Sequence, residues 1–280
     1  MSAGAPRVAV VGHVEWLDFA VVERLPAPGE IVNAIEHFEE PAGGGAVAAV
    51  QLRKLAGAAR FLTALGDDAL GERAARELRE RHGVDPHAAV RRRATRRAFT
   101  HLDARAERTI TVLGERLVPH AEDPLPWAEL SSADGLYFTG GDGAAARAAR
   151  AARVLVASAR AHGALLDGGV TPDVLVASAT DAKERAGVAE LPAPRWLVMT
   201  DGARGGRWEA ADGDTGSWAA APPPGPPVDA YGCGDSFAAG LTYGLAAGMD
   251  LSDALALGAR CGAHCLTGRG PYAAQLTLAS

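Results

Sequence analysis

The sequence predicts an α/β fold, in which a central, mostly parallel β-sheet is flanked by helices and accompanied by a small second β-sheet. Short apolar runs that are typical of buried strands alternate with helical segments along most of the 280 residues. This alternation stops between 95 and 118, where two strand-like runs follow each other without a helix between them. It then resumes, so we expect the middle segment to leave the parallel sheet.

The N-terminal part begins the alternation. Residues 7–12 form an apolar run that ends on glycine, and 59–65 form a second one, so both predict buried strands. Residues 45–57 carry apolar side chains at helical spacing after three glycines, and 69–81 form a charged helical segment. These elements predict the first parallel strand–helix units of the sheet.

The segment without helices is expected to form a lid. Residues 99–103 and 108–113 predict two strands joined by a polar turn, and 17–32 could add to the same small sheet over a cleft. We therefore expect one α/β domain spanning 1–280. Its lid would come from two insertions, at about 15–40 and 90–118.

The C-terminal half returns to alternating elements. Apolar runs at 135–139, 164–167, 174–176 and 196–200 predict short buried strands. The Ala- and Arg-rich run 144–161 predicts a surface helix between two of them.

Composition excludes several functional classes. The net charge of −6 gives no basic footprint for nucleic acid, and 48% hydrophobic with 22% charged residues is typical of a soluble globular protein. The N-terminus has no long apolar run, so we expect neither a signal peptide nor a membrane span, and we expect a cytoplasmic location. Cys261 and Cys265 lie one helical turn apart, but no further Cys or His pair completes a metal site, which favours packed thiols.

A glycine loop before a helix is the most informative feature of the chain. A proline-rich approach leads to Gly232, Gly234 and Asp235, and an apolar helical pattern follows at once. The glycines allow backbone amides to approach a ligand, and the positive end of the helix favours a phosphate group. Asp235 would repel that anion, so it makes sense as a base that takes a proton from a hydroxyl. The alternative is an acidic residue favoured by the helix dipole.

The segment 229–235, Asp-Ala-Tyr-Gly-Cys-Gly-Asp, resembles the Asp-Thr-x-Gly-Ala-Gly-Asp motif of the ribokinase (PfkB) carbohydrate kinases. The resemblance continues in the correct order along nearly the whole chain. It implies a ribokinase-like fold and transfer of the ATP γ-phosphoryl group to a hydroxyl of a small sugar-like substrate, with Mg²⁺. It also implies that Asp235 is the base and that the amides of Gly232, Cys233 and Gly234 form an anion hole.

A second glycine loop follows a predicted strand. Residues 200–206, Thr-Asp-Gly-Ala-Arg-Gly-Gly, resemble the family's Thr-x-Gly-x-x-Gly loop, which contacts ATP phosphates, although a hairpin turn would explain the same residues. The resemblance implies a nucleotide site that includes Thr200, Gly202, Arg204, Gly205 and Gly270.

Two aspartates are candidate metal ligands. Where the family usually has Asn-x-x-Glu, this chain has Ser178 and Asp181. Asp181 would then hold a magnesium-bound water, or it would simply cap the following helix. Asp229 and the carbonyls of 267–270 match the family's monovalent cation site, which implies K⁺, whereas an Asx-type cap is the alternative reading of Asp229.

The acceptor site departs from the family. Gly43 and Gly44 match the family's glycine pair, but Ala48 stands where the family has asparagine. Glu15 and Leu17 occupy the positions at which ribokinases carry the Asn and Asp that bind sugar hydroxyls. This departure favours a substrate other than ribose.

Two further carboxylates are substrate candidates. Asp18 lies one place beyond the altered position, and Asp142 follows a glycine pair at a strand end. Asp142 could equally cap the next helix.

Three wider expectations follow from the resemblance. The lid would pair two subunits in a homodimer. A nucleoside kinase remains an alternative, with the base in space opened by Leu17 and Ala48. A nucleotide- or sugar-binding sensor without useful turnover is the other.

Overall fold

The computed structural model describes residues 4–103 and 108–278. Its strands are β1 (Val8–Val11), β2 (Glu15–Val21), β3 (Glu36–Ala42), β4 (Arg60–Gly66), β5 (Pro86–Arg91), β6 (Arg97–Leu102), β7 (Arg108–Leu113), β8 (Gly135–Phe138), β9 (Leu155–Ser158), β10 (Val174–Ser178), β11 (Trp196–Thr200), β12 (Gly206–Ala210) and β13 (Thr215–Trp218). Its helices are α1 (Gly44–Ala56), α2 (Ala69–His82), α3 (Gly143–Ala149), α4 (His162–Gly168), α5 (Ala182–Glu190), α6 (Cys233–Ala246) and α7 (Leu251–Cys265).

Nine of these strands form one mixed sheet in the order β13-β12-β11-β10-β9-β8-β1-β4-β5. Every neighbouring pair from β11 to β5 is parallel, and β12 and β13 add an antiparallel edge. The predicted α/β class and the mostly parallel sheet are therefore confirmed.

The predicted small sheet is also present. Four strands form it in the order β3-β2-β6-β7, with β2 and β6 parallel and both outer pairs antiparallel. Arg108, on β7, donates a 2.7 Å hydrogen bond to the carbonyl of Ala230. This sheet, which we call the lid, thus reaches the glycine loop before α6.

Alternation along β1 shows how the helical layers cover the main sheet. Val8 and Val10 pack into a core with residues of α1 and α6, whereas Ala9 and Val11 pack into a core with residues of α3 and α4. Successive strand residues point to opposite faces, so a strand covered on both sides must be apolar throughout. Burying a valine side chain fully contributes about 1.5–3 kcal/mol.

Two predictions in the C-terminal half were wrong. The predicted strand 164–167 lies in α4. Leu165 is fully buried and Leu166 is exposed, as expected for a surface helix that packs on the core through one face. The predicted helix 144–161 ends at Ala149, and β9 follows within the same run, fully buried between β8 and β10. The turn and the strand could not be recognised in this alanine-rich run, because alanine is compatible with both a helix and a buried strand.

Among the described residues, no helix is both long and apolar enough to cross a membrane.

Candidate active site

The site lies at the carboxyl edge of the main sheet, where parallel strands usually bind ligands. The N-terminus of α6 points to this edge. Tyr137, near the end of β8, donates a 3.4 Å hydrogen bond to Oδ1 of Asp235. The glycine pair before α1 reaches the same point, because a Cβ on Gly44 would stand 2.8 Å from that carboxylate oxygen and 3.0 Å from Oγ1 of Thr139.

The loop before α6 leaves its amides open. Gly232 is the N-cap with φ of 82°, a left-handed conformation that favours glycine, and a Cβ there would stand 2.8 Å from Pro271. Among the described residues, no side-chain hydrogen bond caps α6. Its first N–H groups therefore have no intrahelical partner and carry the positive end of the dipole. Gly234 is exposed, and a Cβ on it would meet no atom of the described residues within 4 Å, so an anion has room to approach.

Asp235 is half-buried in the first turn of α6. Burial raises the pKa of its carboxyl above the usual range, and the positive charge of Arg160 opposes that rise. A carboxylate whose pKa has been raised is a stronger base than a solvated one, which suits proton abstraction from a hydroxyl.

The thiol of Cys233 is held in its protonated form. Its pKa is raised well above the ordinary value, first by its contact with Cys265 and then by burial. A thiol that stays protonated is a poor nucleophile. Cys261 and Cys265 are fully buried, which fits the packed thiols expected from the sequence.

The predicted nucleotide loop is the turn of the β11–β12 hairpin, one of the alternatives left open by the sequence. It lies beside the end of β10, because Ser178 pairs with Thr200 and the amide of Ala179 donates to the carbonyl of Thr200 at 2.8 Å. Arg204 is exposed and held by Asp201 through bonds of 2.6 and 2.7 Å.

The two loop glycines have different surroundings. Gly205 has φ of 83°, and its Cβ would stand 2.0 Å from the carbonyl of Trp218. Gly202 has φ of 56°, and a Cβ on it would meet nothing within 4 Å in the part of the chain that the structure describes. Trp218 lies on β13 and stacks on Phe237 of α6 with ring centroids 5.5 Å apart. The Gly205 turn is thus connected through Trp218 to the helix that carries Asp235.

Asp181 caps α5 and belongs to a charged cluster. Its carboxylate accepts hydrogen bonds from the amides of Lys183 and Glu184, and it pairs with Arg160 at 3.0 Å. Glu184 is buried and pairs with Arg160 at 2.6 Å while accepting from the amide of Ser178. Arg160 and Glu184 could not be found by sequence reasoning, since their pairing joins residues 24 positions apart.

Magnesium would find suitable donor types in this cluster. Carboxylate oxygens are its preferred ligands, and both carboxylates lie within electrostatic range of Arg160, which also acts on Asp235. Because Arg160 already binds Asp181 and Glu184 directly, these residues fit a metal held through water better than one held by direct coordination.

Asp229 joins the loop before α6 to the segment that follows α7. It is fully buried, and its two oxygens accept from the amides of Tyr231 at 2.8 Å and Gly270 at 3.2 Å. Burial raises its pKa. Oδ1 of Asp229 therefore makes the Asx-type contact that the sequence left open. A second buried carboxylate, Glu40, lies nearby, and burial is the main cause that raises its pKa to about 7.

Glu40 was not singled out from the sequence. Its Oε1 is buried and has no hydrogen-bond partner within residues 4–103 and 108–278. It packs so closely on Gly270 that a Cβ on that glycine would stand 1.9 Å away. Two buried carboxylates with little compensating charge fit a monovalent cation in this region.

The acceptor side centres on Glu15 at the start of β2. Its Oε1 accepts from the hydroxyl of Tyr231 at 3.1 Å, and that hydroxyl accepts from the amide of Gly43 at 3.2 Å. Its Oε2 lies 3.0 Å from Nε of Arg96. Glu15, Gly43, Gly44 and Asp235 are thus brought together at one end of α6.

Asp18 and Asp142 are held elsewhere. Asp18 is three residues beyond Glu15 and points to the other face of the lid, where it pairs with Arg97 at 2.9 Å. Asp142 caps α3 by accepting from the amide of Ala145 at 2.7 Å, and it also accepts from Ala121.

Comparisons with known proteins agree with this architecture. The family model of the pfkB family carbohydrate kinases matches residues 5–278. No curated protein sequence matched. Among solved structures, a ribokinase from Arabidopsis thaliana complexed with ribose and ATP is 20% identical, with a TM-score of 0.75, and the match covers 98% of this chain and 96% of that one.

Two further structures show the same fold. A microbiome-derived acarbose kinase is 23% identical with a TM-score of 0.76, and 98% of this chain and 96% of that chain are covered. An adenosine kinase from Sinorhizobium meliloti is 18% identical with a TM-score of 0.74, and 96% of each chain is covered. The chain belongs to the pfkB family of carbohydrate kinases. It is an enzyme of the carbohydrate kinase class, with a fold that supports ATP-dependent phosphoryl transfer.

Proposed function

We propose that this protein transfers the γ-phosphoryl group of ATP to a hydroxyl of a small sugar-like acceptor, with Asp235 as the base. The position of Asp235 carries the proposal: its carboxylate stands in the first turn of an uncapped helix and against Gly44. A hydroxyl placed there would meet a base, and the phosphoryl group would meet amides. Proton abstraction by a positioned base contributes about 10²–10⁴-fold to such reactions.

In this proposal the amides of Gly232, Cys233 and Gly234 stabilise the charge that develops on the phosphoryl oxygens. The open space beside Gly234 and the absence of a side-chain cap support this role. The lid would close over the acceptor and exclude water, which otherwise competes as the phosphoryl acceptor. Its contact through Arg108 with the carbonyl of Ala230 supports that role.

ATP would lie along the β11–β12 hairpin, with Thr200, Gly202, Arg204 and Gly205 near its phosphates and Gly270 beside the same site. Magnesium would neutralise those phosphates, with Asp181 reaching it through water. Asp229 would hold a monovalent cation such as K⁺ together with nearby carbonyls.

On the acceptor side, Glu15 and the backbone of Gly43 and Gly44 would contact the substrate. Asp18 and Asp142 would act only if their present partners were exchanged for substrate. A nucleoside acceptor, which the solved adenosine kinase exemplifies, is the second candidate. We also propose a cytoplasmic homodimer that pairs through the lid and binds neither nucleic acid nor membranes.

Release of ADP from Mg-ATP tests the proposal, measured against neutral sugars, sugar phosphates, sugar acids and nucleosides with and without K⁺. We expect one acceptor class to support turnover, and we expect K⁺ to raise the rate in the wild type but not in Asp229→Asn. If Mg-ATP binds but no acceptor supports ADP release, the sensor alternative replaces the kinase. Equal rates with Na⁺ and K⁺ would contradict the proposed K⁺ site at Asp229 but would leave the proposed kinase activity standing.

A further inference from the structure

A cavity of about 690 Å³ lies where the edge strand of the lid meets the helical layer. Residues 38–40 of β3 form one wall, and the other walls come from the C-terminal ends of α1 and α2 and from the segment that follows α7. None of the residues proposed above for the base, the acceptor or the nucleotide lines it. Its volume is within the range of about 300–1,000 Å³ that is typical of small-molecule sites. It is therefore a second place with room for a ligand.

Three buried polar atoms on the walls of this cavity have no hydrogen-bond partner among residues 4–103 and 108–278. They are Oε1 of Glu40, Nε of Arg53 and Nε2 of His82. Buried polar atoms in proteins are nearly always paired, because an unpaired one loses its contact with water and gains nothing in return. Three such atoms around one cavity indicate a polar occupant.

Several charged side chains on the walls are already compensated. Three of them form ion pairs with residues that do not line the cavity: Glu39 with Arg73, Arg81 with Glu77, and Arg269 with Glu36. These pairs leave the charge of the cavity to two cations of α1 and two carboxylates.

The two cations are Arg53 and Lys54, adjacent in the last turn of α1. Neither forms an ion pair with a carboxylate in the part of the chain that the structure describes. The ammonium of Lys54 donates a hydrogen bond to the carbonyl of Tyr272 and has two further hydrogens to donate. Arg53 packs against the end of α2, where a Cβ on Gly83 would stand 2.7 Å from Nε. The negative end of that helix favours a cation there, but no described carbonyl accepts a hydrogen bond from this guanidinium.

The two carboxylates offset these cations only in part. Burial is the main cause that raises the pKa of Glu40 to about 7, so about half of this carboxyl is protonated at pH 7. Glu80 is exposed, so water and salt screen its charge. His82 adds no charge, because burial lowers its pKa to about 4, and its ring packs on Tyr272 with centroids 4.1 Å apart. The cavity therefore favours an anion.

We propose that this cavity binds a small molecule through a phosphate or carboxylate group, which Arg53 and Lys54 hold. A guanidinium beside an ammonium supplies the charge-assisted hydrogen bonds that either group accepts. The same molecule, or water bound with it, would meet the unpaired atoms of Glu40 and His82. Because β3 belongs to the lid and the other walls do not, the occupant would contact the lid and the helical layer together. This second site is independent of the proposed kinase activity.

Binding calorimetry on the full chain tests this site, with the proposed nucleotide site filled by Mg²⁺ and a non-hydrolysable ATP analogue. The probes are inorganic phosphate, succinate and succinamide, the last being the uncharged counterpart of succinate. Each is added to the wild type, Arg53→Met, Lys54→Met and Arg76→Met. Arg76 is an exposed arginine of α2 that does not line the cavity, so its variant is the matched control.

We expect phosphate or succinate to bind at least about 10-fold more tightly than succinamide. Arg53→Met and Lys54→Met should each weaken that binding by at least about 10-fold, as loss of a hydrogen bond between charged groups gives, and Arg76→Met should match the wild type. The charged probe that binds tells phosphate from carboxylate. If Lys54→Met fails to fold without its contact to Tyr272, Arg53→Met alone decides.

Three results would overturn the proposed site. They are equal binding of charged and neutral probes, no binding of either charged probe, and charged-probe binding that Arg53→Met leaves unchanged. A matching loss of affinity for the ATP analogue in Arg53→Met would also overturn it, since the effect would then lie at the active site.

Hydrogen exchange locates the bound probe. The amides of 38–40 and 80–83 should exchange more slowly when the charged probe binds the wild type, and this protection should be absent in Arg53→Met. Binding without protection of either segment would place the anion elsewhere and contradict the proposed site. Neither measurement depends on ADP release, so this site and the kinase proposal can fail separately.

Discussion

Replacing Gly44 by alanine should damage catalysis through the position of Asp235. The added methyl carbon would stand 2.8 Å from Oδ1 of Asp235 and 3.0 Å from Oγ1 of Thr139. To reach ordinary contact the carboxylate must retreat by about half an ångström. A displacement of 1 Å in an active site costs about 10²-fold in rate, so we expect kcat to fall by about 10-fold. Steady-state ADP release with Mg-ATP and the acceptor measures this change.

Gly163→Ala is the matched control, because Gly163 lies in α4 and an added methyl group would meet no described atom within 4 Å. That variant should keep the wild-type kcat and melt at the same temperature or slightly higher, since alanine favours helix by up to about 1 kcal/mol. If Gly44→Ala folds normally and its kcat stays within twofold of the wild type, then Gly44 does not position Asp235 and the reasoning fails.

Three further predictions concern neighbouring groups. Gly234→Ala should melt at or above the wild-type temperature, yet lose about 10²-fold in kcat because the methyl enters the space proposed for the phosphoryl group; an unchanged kcat would refute this. Tyr231→Phe should raise the KM of the acceptor several-fold and leave the KM of ATP unchanged, since the hydroxyl binds Glu15 and Gly43, and each hydrogen bond to a charged group is worth about 1.5–3 kcal/mol. An equal rise in both KM values would contradict it. Glu40 has its pKa raised from 4.5 to about 7, so the folded state binds more protons than the unfolded state between these values, and stability must fall as pH rises through them. Glu40→Gln should therefore match the wild type in thermal unfolding near pH 4.5 and exceed it above pH 7, by at most about 3 kcal/mol; a constant difference across this range would disprove the assignment.

The elements with one clear periodicity could be predicted from the sequence. The apolar pattern of 7–12 fits a buried strand and that of 45–57 fits a helix, and the structure has these elements. The glycines before Asp235 predict a sharp turn into a helix, which is also present. The run 144–161 failed, because alanine gives no periodicity that separates a helix, a turn and a buried strand.

The individual site residues were less accessible to sequence reasoning. The conformation at Gly232 could be predicted, because glycine is the residue that most readily adopts a left-handed φ in a tight turn. Arg160 and Glu184 act through partners far along the chain, so only the fold reveals them. Glu40 shows the same limit, since an acidic residue in an acidic stretch gave no sign that it would be buried against Gly270.

The most direct test of the central claim is turnover by Asp235→Asn, compared with Asp212→Asn in the exposed turn between β12 and β13. We predict that Asp235→Asn lowers kcat by about 10²–10⁴-fold, as loss of a general base does. Its affinity for Mg-ATP should not fall. Because burial raises the pKa of Asp235, the charged carboxylate destabilises the folded state at neutral pH, and the amide should raise the melting temperature there. A variant that retains wild-type kcat would show that Asp235 is not the base, and the account would be wrong.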